Sequence, residues 1–72
     1  MARLRPDDYN ALEQAVARGG KLAVYRRGTE YLVVPTRIIQ REGREAFEAR
    51  HPTTGDVIVF VIDEIDSFEV VR

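Results

Sequence analysis

The sequence has no cysteine and no long apolar run, and each absence excludes a class of protein. Without cysteine there are no disulfides and no thiolate metal sites, and nothing indicates an oxidising compartment. The longest apolar run, residues 57–62, is far shorter than the roughly 20 residues that cross a bilayer. The N-terminal residues contain no apolar stretch that could serve as a signal peptide. We therefore expect a cytoplasmic protein with no membrane segment.

Residue types that carry catalysis or bind metal ions are also scarce. His51 is the only histidine, and its neighbour Pro52 indicates a turn residue rather than a base or a ligand. The acidic residues at 63–66 lack the glycine turn and the ligand spacing of a calcium-binding loop. Gly19-Gly20 is not followed by the Gly-Lys-Ser/Thr of a phosphate-binding loop. We expect no enzyme, no metal site and no cofactor.

The length of 72 residues allows one small domain. A chain of this size buries about 60% of the surface that its unfolded form exposes, so one modest core is expected. Hydrophobic residues make up 44% and charged residues 32%, which is typical of a folded domain and argues against disorder. We expect a single domain over residues 1–72.

The net charge of −1 hides an uneven distribution along the chain. Residues 1–44 carry nine basic and five acidic side chains, whereas residues 45–72 carry two basic and seven acidic ones. One interpretation is a module with two opposite faces that meets itself or an anionic partner. The other is that the two halves intermix in a compact barrel.

A helix is predicted over residues 6–19. Acidic residues follow Pro6 in the first turn, where the helix dipole favours them. Apolar side chains recur at helical spacing on one face: Tyr9, Leu12 and Val16. The glycines after the helix supply the left-handed conformation that ends it. A helix this short is marginal alone, so its apolar face is expected to dock on the rest of the domain.

After the helix, strand-forming residues alternate with turn-forming ones. The pattern predicts five strands: residues 21–27, 30–40, 44–50, 56–62 and 67–71. Gly28-Thr29 is predicted as a two-residue hairpin turn and residues 41–43 as a three-residue turn. Residues 51–55 form the next predicted turn. Residues 63–65 are too few for a loop and a strand, so a single helical turn is predicted there.

Short antiparallel strands joined by tight turns imply a meander that bends into a small barrel. Pro35 has no N–H group for a ladder hydrogen bond, so a bulge, a bend or an edge is expected there. The apolar runs at 31–34 and 57–62 do not alternate, so both of their faces need cover. The helix covers one face, and the barrel interior or a second subunit covers the other.

Residues 21–71 also carry a series of short motifs. Val24-Tyr25 ends a strand, Pro-Thr-Arg-Ile follows at 35–38, and Phe60 precedes Asp-Glu-Ile at 63–65. The series resembles the WYL domain of bacterial regulators, with residues 45–49 in the place of its Trp-Tyr-Leu strand. The order of elements is also similar to Sm-like and SH3-like small barrels. The resemblance implies a mainly β domain with one N-terminal helix and a five-stranded antiparallel barrel.

The chain departs from the WYL pattern at the positions through which that family senses nucleic-acid-type ligands. Glu45 and Ala46 replace the aromatic pair, and Ile58 and Glu64 stand where the family places arginines. The Arg-Gly pair expected near the fourth-strand turn of an Sm protein occurs here only in the first hairpin. The resemblance therefore implies the fold and a regulatory role, but it does not imply the family's ligand site.

The predicted hairpins carry a group of arginines with a tyrosine beside them. We predict a ligand-binding site formed by these residues: Tyr25, Arg26, Arg27, Arg37, Arg41 and Arg44. Arginines contact phosphates, and Tyr25 and Tyr31 offer rings on which bases stack. The isoelectric point of about 5.8 argues against a dedicated nucleic-acid binder, so the sequence allows nucleic acid as a partner but does not favour it. We predict a non-catalytic binding or regulatory module.

The apolar strand at 57–62 supports an alternative function. It combines high β-propensity with low charge, which on an unpaired edge promotes aggregation. A stable protein buries such a strand on both faces, as a central strand of a monomer, or pairs it with another chain. The second case predicts a homo-oligomer or a protein partner, with these interface residues: Val57, Val59, Val61, Phe68 and Val70.

Overall fold

The computed structural model describes residues 6–71, so the ends of the predicted domain, residues 1–5 and 72, lie outside the described part. The chain folds into one helix and five strands: α1 (Pro6–Arg18), β1 (Lys21–Arg26), β2 (Thr29–Arg41), β3 (Arg44–Arg50), β4 (Val57–Val61) and β5 (Ser67–Val71). A 3₁₀ turn, Ile62–Glu64, separates β4 from β5. The predicted mainly β class, with an N-terminal helix and five antiparallel strands in a small barrel-like domain, is confirmed.

The strands lie in the order β4-β3-β2-β1-β5, and each pairs with its neighbours in antiparallel fashion. The long strand β2 pairs with two neighbours: its first part pairs with β1 and its second part pairs with β3. The register shifts between Pro35 and Arg37, at the proline where a bulge was one of the expected outcomes. The hydroxyl of Thr36 donates to the carbonyl of Glu48 over 3.0 Å and secures this irregularity. Such bulges bend the strand and increase its local twist, so β2 can pair with β1 in one part of the bent sheet and with β3 in the other.

Both short hairpin turns contain two residues, and each differs from the prediction. In the first turn Arg27 and Gly28 both have positive φ, 52° and 77°, between the paired residues Arg26 and Thr29. The prediction of Gly28-Thr29 is therefore wrong by one residue. In the second turn Glu42 and Gly43 have φ of 54° and 76°, so the predicted three-residue turn is also wrong. Two left-handed residues give the turn whose twist matches that of the flanking strands.

The turn between β3 and β4 is organised around His51. Its Nδ1 accepts hydrogen bonds from the backbone N–H groups of Thr53 and Thr54, each over 3.2 Å. Its own N–H donates to the carbonyl of Asp56 over 2.8 Å, and the N–H of Gly55 donates to the carbonyl of His51 over 3.0 Å. His51 is therefore a turn residue, as predicted. Asp56 belongs to this turn, so β4 begins one residue later than the sequence pattern indicated.

One core fills the space between the inner face of the sheet and the helix. Helix α1 packs on β2 and β5, and it contributes Leu12 and Ala15 to the core. Phe47 and Phe60 are cross-strand partners whose ring centroids lie 5.3 Å apart, and both are fully buried. The strands contribute the other fully buried large side chains: Leu22, Val24, Val33 and Pro35. No polar side chain is buried among the described residues.

Candidate ligand-binding site

A depression lies beside the turn that joins β1 and β2. Its lining comes from the end of β1, the turn, the start of β2 and the 3₁₀ turn: Arg26, Arg27, Thr29, Tyr31 and Glu64. We call it the arginine pocket. The antiparallel register of β1 and β2 explains why residues near the turn share one site, since Arg26 lies directly opposite Thr29. Only Glu64 is brought there from a distant part of the sequence.

Arg26 is held between aromatic side chains at the edge of the core. Its guanidinium carbon lies 5.0 Å from the ring centroid of Tyr31 and 5.0 Å from that of Phe60. The two rings meet edge to face with their centroids 5.6 Å apart, and Phe60 is fully buried. Cations over aromatic faces are stabilised by the ring quadrupole. Arg26 is therefore positioned by a rigid support rather than free to sample solvent.

Arg26 has no carboxylate partner among residues 6–71. The ion pairs of that part of the chain join Arg37 to Glu48 and Arg44 to Glu64. A guanidinium has five N–H donors, and stacking on a ring uses none of them. The N–H donors of Arg26 are therefore not engaged by any carboxylate of residues 6–71. The exposed side chains of Arg27 and Thr29 add further donors at the same depression.

Arg44 is connected to this pocket through Glu64. Its Nη2 lies 2.9 Å from Oε2 of Glu64, and the two side chains are 44% and 46% exposed. The ion pair links the start of β3 to the 3₁₀ turn that contributes Glu64 to the pocket. Arg41 lies directly opposite Arg44 in the register and is exposed. Arg44 therefore contacts a residue of the pocket lining, and Arg41 is its neighbour across the second hairpin.

Tyr25, in contrast, lies outside the arginine pocket. Successive side chains of a strand point to opposite faces, so Tyr25 points away from the face that Arg26 occupies. Its hydroxyl donates to Oε2 of Glu30 over 3.2 Å. This hydrogen bond and the charge of the Glu30 carboxylate raise the pKa of Tyr25, with further contributions from burial and from Glu69. The ring that supports Arg26 is that of Tyr31.

Arg37 is also separate from the pocket. It pairs with Glu48, its cross-strand neighbour, through an Nη2–Oε2 contact of 3.2 Å. The predicted six-residue set is thus divided: Arg26 and Arg27 line the pocket, Arg44 pairs with its lining residue Glu64, and Arg41, Arg37 and Tyr25 are not part of the lining. The candidate set omitted Tyr31, Phe60 and Glu64. From the sequence, Tyr31 was predicted only as a ring on which bases could stack. Phe60 and Glu64 could not be found from local sequence, because only the tertiary structure brings them beside Arg26.

The predicted interface residues are divided between the two open edges of the sheet. Val57, Val59 and Val61 lie on one face of β4, whereas Phe68 and Val70 lie on β5 at the other end of the strand order. Val57 is 61% exposed and Val70 is 39% exposed. Val61 is buried within the chain, opposite the fully buried Ala46. Both edges are unpaired within the part of the chain that the structure describes.

Two further properties of residues 6–71 concern metal ions and membranes. No group of three or more histidine, cysteine, aspartate or glutamate side chains in this range could hold a metal ion. In the same range, no helix has the length and apolar character needed to cross a bilayer.

Comparisons with known proteins give similarity to solved structures. No protein-family model matches the chain, and no curated protein matches it. Among solved structures, it is similar to proteasome accessory factor B/C (PafBC) of Arthrobacter aurescens, with a TM-score of 0.72 and 25% sequence identity. The match covers 97% of this chain but only 12% of that protein. Because that protein contains a WYL domain, the similarity supports the WYL-like fold that the sequence motifs implied.

Proposed function

We propose that this domain is a non-catalytic regulatory module that binds an anionic ligand in the arginine pocket. The observation that carries the proposal is the state of Arg26, which two aromatic rings position and no carboxylate of residues 6–71 neutralises. A binding site needs groups that are ordered before the ligand arrives, because ordering them on binding reduces affinity. The structural similarity to a WYL-domain protein supports a regulatory role.

The ligand's class follows from the donors in the pocket. Guanidinium groups match phosphate oxygens in geometry and charge, and the Tyr31 ring offers a surface for a planar group. The chain as a whole has a net charge of −1, so long-range attraction of a polyanion is weak. Affinity must then arise from short-range contacts with a few phosphates. Single-stranded nucleic acid and nucleotides are the ligands that combine these features.

A salt titration tests the proposal. Labelled single-stranded DNA and RNA of about ten nucleotides would be titrated with the protein, and binding would be followed by fluorescence anisotropy. If Arg26, Arg27 and Arg44 each neutralise one phosphate, the Kd should rise roughly 20-fold between about 50 and 200 mM salt. Absence of binding at both salt concentrations would contradict the proposal for nucleic acid.

A pair of matched variants shows whether the pocket is responsible. Arg26→Gln removes one charged donor from the pocket and should weaken binding about tenfold, as expected for a charge-assisted hydrogen bond. Arg18→Gln removes the same charge from the end of α1, near Val70 and the start of β1, and should leave the Kd nearly unchanged. Equal losses in both variants would indicate general electrostatic attraction rather than a pocket.

A second candidate function is self-association through the edge strands. The observation that favours it is Val57, a valine with 61% of its surface exposed on an edge strand of the sheet. Unpaired backbone N–H and C=O groups on β4 and β5 are complementary to one another. This function does not compete for the arginine pocket, so one molecule could carry both.

A further inference from the structure

The arginine pocket contains one carboxylate, Glu64, among its cationic groups. Its Oε2 accepts from Arg44 over 2.9 Å, while the same side chain lines the depression with Arg26 and Arg27. A carboxylate in this position takes part of the space and of the positive potential that an external anion needs.

We infer that Glu64 is an internal competing anion that a bound ligand displaces. In the free domain it pairs with Arg44 and lowers the affinity of the pocket for anions. When a ligand with several phosphates binds, one phosphate takes the place of the Glu64 carboxylate on Arg44. The inference rests on the proposed function, and it explains how Arg44, which is paired in the free domain, becomes able to contact the bound ligand.

The ion pair is weak enough for such an exchange. Both side chains are nearly half exposed, so water screens their attraction. Exposed pairs of this kind shift an equilibrium by about two- to fivefold. Arg26 differs, because it is stacked on Tyr31 and on the buried Phe60. The mobile part of the site is therefore the Glu64 carboxylate, and the fixed part is Arg26.

The local backbone allows Glu64 to leave without unfolding. The 3₁₀ turn is anchored by Ile62 and Ile65, which are 5% and 4% exposed and belong to the core. The N–H of Ile65 donates to the carbonyl of Ile62 over 3.3 Å and closes the turn. Glu64 points outward between these anchors, so a rotation about its side-chain bonds releases Arg44. No core contact has to break.

The exchange selects ligands by the number of their anionic groups. A ligand with one phosphate replaces one carboxylate on Arg44 and gains little, whereas a ligand with several phosphates contacts Arg26 and Arg44 together. Removal of the Glu64 charge should therefore strengthen binding, while the number of phosphate contacts in the complex stays the same. The slope of log K against log salt, which is about 0.7 for each phosphate contact with a single strand, should therefore remain nearly unchanged.

The test compares Glu64→Gln with Asp63→Asn in the same anisotropy titration, with single-stranded DNA as the probe. Both changes remove one negative charge from the 3₁₀ turn, but only Glu64 lines the pocket. Glu64→Gln should tighten binding about two- to fivefold, because the ligand no longer has to displace a carboxylate from Arg44. Asp63→Asn should change the Kd much less. In the double variant Glu64→Gln with Arg44→Gln, the gain should disappear.

The contrary outcomes are distinct from one another. If the wild-type chain binds DNA and Glu64→Gln binds equally or more weakly, Glu64 positions Arg44 and does not compete with the ligand. Equal gains from Glu64→Gln and Asp63→Asn would also overturn the inference, because the effect would then be one of net charge. If neither the wild type nor Glu64→Gln binds, the proposed function fails and the inference fails with it. Circular dichroism of each variant verifies that the fold is intact.

Discussion

Tyr25 and Arg26 show how adjacent residues acquire different roles in a strand. Both residues lie directly before the first hairpin turn and were predicted to share one site, but strand alternation directs their side chains to opposite faces. Tyr25 binds Glu30, whereas Arg26 stacks on Tyr31 and Phe60. The position of Arg26 near the turn was predictable from local pattern. Its support by Phe60 was not, because that contact depends on the register of distant strands.

The contact between Tyr25 and Glu30 predicts a measurable titration. Because Glu30 accepts the phenol's hydrogen bond and repels the phenolate, the pKa of Tyr25 lies above its ordinary value of 10.0. The hydrogen bond from the protonated Tyr25 to Glu30 therefore contributes to the stability of the fold below about pH 10, and this contribution is lost as the pH rises through the folded-state pKa of Tyr25. Glu30→Gln should lower the pKa of Tyr25, as followed by tyrosinate absorbance.

The assignment of that titration needs a control, since the chain also contains Tyr9 and Tyr31. Tyr25→Phe should remove the tyrosinate step that Glu30→Gln shifts. If Glu30→Gln leaves every step unchanged, the hydrogen bond between Tyr25 and Glu30 has no role in solution.

At the scale of elements, local pattern predicted β3 and β5 with their observed limits, and it misplaced both hairpin turns. Glycine correctly indicated left-handed backbone at Gly28 and Gly43. The error lay in the residue before each glycine, because Arg27 and Glu42 also have positive φ. Such conformations are uncommon outside glycine, asparagine and aspartate, so residue type alone does not reveal them. The pairing of the strands on either side imposes them.

The second hairpin gives a stability prediction. Gly43 has φ of +76°, so Gly43→Ala should destabilise the domain by about 1–2 kcal/mol even though a Cβ would meet no atom within 4 Å. Gly20 is the matched control, because its φ lies outside the left-handed region and a Cβ there would contact Ala15 at an ordinary 3.8 Å. Gly20→Ala should be neutral or slightly stabilising. Urea unfolding midpoints that fall equally for both variants would contradict the turn geometry.

At the scale of the whole molecule, the helix, the strands and their antiparallel meander were predictable from periodicity and turn residues. The sequence left open whether residues 57–62 form a central strand or an edge, because a continuous apolar run suits either. The structure places β4 at one end of the strand order, with Phe60 in the core and Val57 exposed. The ion pairs of Arg37 with Glu48 and Arg44 with Glu64 join the basic and acidic parts of the chain. These ion pairs favour the interpretation that the basic and acidic parts of the chain intermix, rather than the interpretation that they form two opposite charged faces.

The open edges give a prediction about assembly. If copies pair through β4, Val57→Lys should convert an oligomer to a monomer without unfolding it, because this side chain is already largely exposed. Leu32→Lys is the matched control, since Leu32 is 43% exposed on β2, a strand paired on both sides. Light scattering over a range of concentrations gives the mass. A wild-type chain that is monomeric throughout, or equal effects of both variants, would exclude association through this edge.

The most direct test of the account is to map where an anionic ligand binds. Backbone amide shifts would be recorded by nuclear magnetic resonance while single-stranded DNA is added to the labelled protein. The largest changes in amide shift are expected at the residues that line the pocket, with little change along β4. These residues are Arg26, Arg27, Thr29 and Tyr31 on the first hairpin and Glu64 on the 3₁₀ turn. Changes that scatter over all exposed basic residues, or that centre on Arg18 and Lys21, would contradict a ligand site in the arginine pocket.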